Sequence, residues 1–237
     1  MSHLTGKIYC LKCDVSKYFN NVDHEILLGM LRRKIHDENI LWLLREIIAS
    51  NPQACPPLPP PDSLHNSKWV GAAQAIGRRG IPIGNLTSQI FANVYLNELD
   101  HFVKRVLREK YYIRYMDDFL IFGLDKKHLR EDKERIRMFL RDRLKLEMHP
   151  KKAEIFPIDK GIDFLGYVIR GNRRFLRKST VKRFLKKSGR YAYMFEKRKV
   201  SKQRVLNMHA SWRGYAMFAD SYRLMEKLGL STKKSYL

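Results

Sequence analysis

Tyr111-Tyr-Ile-Arg-Tyr-Met-Asp-Asp-Phe-Leu-Ile-Phe122 sets two adjacent aspartates between two apolar runs. Tyr111 to Tyr115 and Phe119 to Phe122 each read as a short strand, and Met116-Asp117-Asp118 reads as the tight turn of a hairpin. Like charges at such close range disfavour joint ionisation unless something neutralises them. Aspartate is also a common turn former, so a solvated turn is the plainer reading of the pair taken alone. The setting argues for more. An acidic tip on an otherwise apolar hairpin suits a hard divalent cation such as Mg²⁺, which takes carboxylate oxygens.

A third carboxylate stands at the end of another strand. Ile8 to Val15 alternates, with Tyr9, Leu11, Cys13 and Val15 on one face and Cys10, Lys12 and Asp14 on the other. Asp14 can therefore complete a site with Asp117 and Asp118, where two ions clamp the attacking and leaving oxygens of a phosphoryl displacement. Cys10 and Cys13 form a CxxC, but positions three apart on a strand point to opposite faces. They read as small buried side chains rather than as metal or redox ligands.

Outward from these strands, Asp23 reads as the N-cap of a helix over His24 to Ile35, with a second helix over Glu38 to Ala49. Pro52 to Pro61 breaks all periodicity. Thr87 or Ser88 starts a helix with an apolar face of Phe91, Tyr95, Leu99, Phe102 and Val106. Lys126 to Leu144 is amphipathic, and Ile162 to Ile169 reads as a strand. Beyond Arg170 the chain reads as helical and intensely basic, with Glu196, Asp220 and Glu226 its only acids. Strands and helices do not alternate as in parallel βαβ units. The expected class is α+β, an antiparallel sheet backed by helices.

The 237 residues carry a net charge of +23, and their mutual repulsion is a cost that a core does not require. Nucleic acid is the leading partner, because each neutralised phosphate releases counterions. An anionic membrane is the alternative. However, no apolar run reaches the ~20 residues of a span, and the N-terminus lacks a signal peptide's apolar stretch. The expectation is a soluble, cytoplasmic protein.

Asp14-Val-Ser-Lys-Tyr-Phe19 and Tyr115-Met-Asp-Asp118 together resemble the first and third palm motifs of reverse transcriptases. Gly80-Ile-Pro-Ile-Gly-Asn-Leu-Thr-Ser-Gln89 resembles the second. Leu146-Glu-Met-His-Pro-Lys-Lys152 resembles the fourth, and Phe164-Leu-Gly166 the turn that grips the primer end. Ser211-Trp-Arg-Gly214 lies where related enzymes carry a thumb-helix pattern. Ile83 before Gly84, with Ser88-Gln89 following, is similar to the enzymes of diversity-generating retroelements, which copy template RNA inaccurately at adenines. Bacterial retron and group II intron enzymes are the nearest alternatives, and a prokaryotic or phage source is expected.

The resemblance implies a right-hand palm and a set of residue roles. Asp14, Asp117 and Asp118 would bind two Mg²⁺ ions, with the Val15 carbonyl assisting. Phe19 would exclude a ribose 2′-hydroxyl, and Ile83 and Gly84 would pack on the incoming base and template. Lys152, or its neighbour Lys151, would protonate departing pyrophosphate. Tyr167 and the basic face after Arg173 would track the primer–template backbone. Tyr191, Tyr193, Trp212 and Tyr215 would either stack on bases or pack the thumb core. The implied partners are template RNA, a DNA or RNA primer, a dNTP and a small basic accessory protein.

The expected organisation is a palm over 1–170, with a partial fingers insertion around 50–80, and a basic helical thumb over 171–237. Thirteen residues precede Asp14, so the N-terminal fingers are missing on this reading, and Lys12 and Arg78 are poor substitutes for their triphosphate-holding side chains. Weak or absent primer extension by this chain is the consequence. An inactive nucleic-acid-binding remnant and a metal-dependent nuclease are the competing readings.

Overall fold

A computed structural model of the protein describes residues 6–50 and 79–230. The proline-rich stretch, Cys55, Gly77 and Arg78 lie outside the described residues, as does nearly all of the expected insertion. The chain forms two units, Met1–Phe156 and Pro157–Leu237.

The first unit is built on a four-stranded sheet in the order β2-β3-β1-β4. Its strands are β1 (Tyr9–Cys13), β2 (Tyr111–Tyr115), β3 (Asp118–Gly123) and β4 (Glu154–Pro157). β3 runs antiparallel to both β1 and β2, with Cys13 opposite Phe119 and Tyr115 opposite Asp118. β1 is thus an interior strand, and Cys10, Leu11 and Cys13 are fully buried, which takes in both of its faces. Both cysteines are free thiols, and burial pushes each up to about 12. A thiolate is the reactive form. In a Cys55→Ser chain at pH 8, neither thiol is expected to react with an alkylating reagent until the protein is unfolded. Rapid native labelling, read by mass spectrometry, would contradict this burial.

Helices α1 (Tyr18–Asn21), α2 (His24–Arg32) and α3 (Glu38–Ala49) follow β1. Asp23 caps α2 as expected, accepting from the Glu25 and Ile26 amides at 3.1 and 3.2 Å. Helix α4 (Leu86–His101) starts after Asn85, slightly ahead of the expected position. Phe91, Tyr95 and Leu99 take the core positions expected of them. A π-helical turn at Phe102–Val106 then shifts the phase of the apolar face. Val103 and Leu107 fall into the core instead, and Val106 is 55% exposed. Phe102 stacks on Phe139 of α5 (Lys126–Leu144), ring centroids 4.2 Å apart. Leu129, Ile136 and Leu140 of α5 complete the core beneath the sheet.

The second unit holds a three-stranded antiparallel sheet, β5 (Ile162–Phe164), β6 (Tyr167–Arg170) and β7 (Arg173–Leu176). The single strand expected over Ile162 to Ile169 is therefore a hairpin, turned at Leu165 (φ 50°) and Gly166 (φ 89°). The stretch after Arg170, read as helical, first makes β7, because Gly171 (φ 54°) turns the chain back and Arg170 pairs with Arg173. The strands on either side of residue 170 thus pair with each other. Helices α6 (Lys178–Glu196), α7 (Lys202–Met217) and α8 (Tyr222–Lys227) follow. Trp212 stacks on Phe184 at 3.9 Å and Tyr215 on Tyr167 at 5.0 Å, so both aromatics pack within the unit. Tyr193 is 59% exposed. Among the described residues, no helix is long and apolar enough to cross a membrane.

Candidate active site

The register of the central strands brings the acids together. Asp14 follows the last residue of β1, and Cys13 pairs with Phe119, so Asp14 meets the turn that carries Asp117 and Asp118. Asp14 is only 5% exposed. Asp117 lies close enough to Asp14 and Asp118 for their charges to act on its carboxyl. Partial burial, then the charges of Asp14 and Asp118, hold Asp117 above the usual carboxylate range.

The segment 146–152 docks along the residues that follow β1. The Ser16 amide donates to the Glu147 carbonyl and the His149 amide to the Asp14 carbonyl, both at 2.8 Å. These bonds flank Val15, which bridges to Met148. A turn closed by Lys152 N–H on the His149 carbonyl, 3.3 Å, then presents Lys152 rather than Lys151 to the site. The Lys152 ammonium forms a short ion pair with the Asp14 carboxylate, while its stem stays 57% exposed. That hydrogen bond holds the ammonium above the ordinary lysine value.

The residues expected to meet the nucleotide lie along the neighbouring segment. Phe19 is half-buried against Tyr18, centroids 5.6 Å apart. Its carbonyl accepts from the Ile81 amide at 2.8 Å, and the Val22 carbonyl accepts from the Gly80 amide at 2.7 Å. The chain then turns outward. Ile83 is 73% exposed, and Gly84 has φ 103°, a conformation that favours glycine.

Sequence reasoning missed the support behind the acidic turn. Met116 sits in the left-handed region at φ 55°. Arg114 holds it, donating from Nη1 to the Met116 carbonyl and to Asn93 Oδ1, each at 3.1 Å. The same guanidinium makes a bidentate pair with Asp100, at 2.7 and 2.5 Å, and Tyr112 donates to Asp100 at 2.8 Å. Burial works against the Arg114 charge, but the bonds to Asp100 win and raise its pKa. Arg114, Met116, Gln89, Asn93 and Tyr115 line a cavity of ≈ 340 Å³ beside the turn. The available signal was an arginine inside an otherwise aromatic and apolar strand.

In the second unit, Arg183, Lys186, Lys187, Arg190, Lys199 and Arg204 line a groove of ≈ 520 Å³. So dense a set of cations along one groove suits a phosphate backbone.

Residues 1–169 match the family described as reverse transcriptase (RNA-dependent DNA polymerase). Protein YkfC of Escherichia coli K12 is 26% identical over 200 residues, covering 70% of this chain and 48% of that protein. The group II intron-encoded protein LtrA of Lactococcus lactis is 24% identical over 233 residues, covering 71% of this chain and 36% of LtrA. The chain spans less than half the length of either relative. Among solved structures, apo telomerase from Candida tropicalis, truncated from its C-terminal domain, is similar at a TM-score of 0.49. The identity is 13%, and the similarity covers 70% of this chain and 34% of that one.

Proposed function

The chain belongs to the reverse transcriptase family, and from that premise we propose that it extends a primer on an RNA template, with Asp14 and Asp117 as the principal ligands of two Mg²⁺ ions and Asp118 and the Val15 carbonyl contributing. The convergence of Asp14 and Asp117 from two strand ends carries this reading. The donor set fits the ions. It is all oxygen, its charges repel one another, and a cation, the Lys152 ammonium, already binds Asp14. Bound there, the ions would stabilise charge on the attacking and leaving oxygens.

The chain's own residues do the rest. Phe19 excludes the 2′-hydroxyl of a ribonucleotide. Lys152, held charged at the site, gives its proton to the departing pyrophosphate. Arg114 fixes the turn that aims Asp117. Tyr167 and the basic second unit hold the primer–template backbone without reading its sequence. The test is Mg²⁺-dependent incorporation of labelled dNTP on a primed RNA template, under single-turnover conditions that reveal slow extension. Equal incorporation by wild type and Asp117→Asn, or none by wild type, overturns the proposal.

The finer assignment is error-prone synthesis in a diversity-generating retroelement of a prokaryote or phage, with a small basic protein as accessory. Ile83, Gly84 and Gln89 support it. Isoleucine offers the nascent pair no hydrogen bond, and discrimination is strong where a mismatch would leave a polar group unpaired. Ile83→Gln is expected to lower misincorporation opposite template adenine severalfold at similar overall extension. Identical error spectra from sequenced products would sink this assignment. The similarity to LtrA favours a group II intron-type enzyme as the second reading. An imperfect repeat near the gene, differing at adenines, separates the two.

A further inference from the structure

Two acids and an imidazole converge at the opposite end of β2 from the acidic turn. His128 and Asp132 sit four residues apart on α5, on one helical face. Glu109 lies just ahead of β2. One ligand atom from each lies within 4.8 Å of the other two. His128 Nε2 is 2.8 Å from Glu109 Oε1 and 3.4 Å from Asp132 Oδ2.

Asp132 is the anomaly. It is 1% exposed, and neither of its oxygens accepts a hydrogen bond. Burying a carboxylate that way is costly unless a cation offsets it. Glu109, with a side chain 12% exposed, adds a second acid. The nearby Lys104 ammonium is engaged with the backbone carbonyls of Glu109 and Lys110, at 2.8 and 3.0 Å. Nothing in polymerisation uses this cluster.

We propose that Glu109, His128 and Asp132 bind a divalent transition-metal ion of the zinc class, which ties α5 to the segment entering β2. One imidazole nitrogen with two carboxylates is a three-ligand set of the kind that zinc accepts, with water in the fourth position. The nitrogen separates this set from the all-oxygen acidic turn, because imidazole suits zinc and carboxylate suits magnesium. The ring of His128 is 52% exposed, which gives the ion a path in.

The test is a titration of the full chain with Zn²⁺, in the Asp14→Asn/Asp117→Asn background and with excess Mg²⁺, so that the acidic turn does not contribute. One Zn²⁺ per chain is expected, with a higher melting temperature and a Co²⁺ d–d spectrum of mixed nitrogen–oxygen ligation. His128→Ala and Asp132→Asn should each weaken binding on the order of tenfold or more. If Asp132→Asn fails to fold, His128→Ala decides, since its half-exposed ring can be removed with the fold checked by circular dichroism. Absence of binding, or undiminished affinity in His128→Ala, overturns the proposal.

Discussion

Asp117→Asn is expected to lower primer extension by about 10³-fold or more, on the scale of losing one preorganised electrostatic group, while raising the melting temperature of the metal-free protein. The two effects have opposite signs for one reason. The folded protein holds the Asp117 pKa up, through partial burial and then the charges of Asp14 and Asp118. Its ionised form is therefore disfavoured on folding. For a carboxylate whose folded pKa lies above its unfolded value, the penalty is full above the folded pKa and fades as the pH falls below it. Asparagine removes the charge, so the gain should appear at neutral pH and shrink in acid. Mg²⁺ binds the folded state alone on the proposed reading, so it should stabilise wild type and not the variant. Melting curves with and without Mg²⁺ at two pH values check all three. A fall in melting temperature at neutral pH in metal-free buffer would mark Asp117 as a structural turn residue.

What was legible in the sequence followed from period and charge. Alternation placed Asp14 at a strand end, and the acidic pair between two apolar runs read as a hairpin tip. The antiparallel register of β1 and β3 then sets Asp14 beside that turn. Lys152 is a different case. Sequence left it beside Lys151, and the choice comes from a turn closed on His149 and an ion pair reaching 138 residues back to Asp14. The π turn at Phe102–Val106 was invisible because its residues also satisfy an α-helical period. Strand β7 was hidden by its arginines, which read as helix surface until β6 pairs with them. Long-range contact decided Lys152, whereas β7 was decided by the hairpin that pairs it with β6.

Arg114 carries the second large effect. Arg114→Met is expected to destabilise the fold by about 3 kcal/mol, because it leaves Asp100 part-buried beside Tyr112 without its counter-charge. It also frees the Met116 carbonyl from its tether, and a non-glycine residue in the left-handed region costs about 1–2 kcal/mol to hold. The turn can then relax, and Asp117 with it. Extension should fall on the order of 10²-fold through kcat, with KM for dNTP little changed, as for an interaction that acts only on positioning. Arg114→Lys keeps the charge but not the fork that binds Asp100 and the turn at once, so it should recover stability before activity. The decisive arm is Arg114→Met combined with Asp100→Leu, which removes both charges together. If Arg114 serves the fold alone, the double variant regains stability in denaturant and activity with it. If it positions the turn, stability returns and extension stays low, because nothing then holds the carbonyl of Met116.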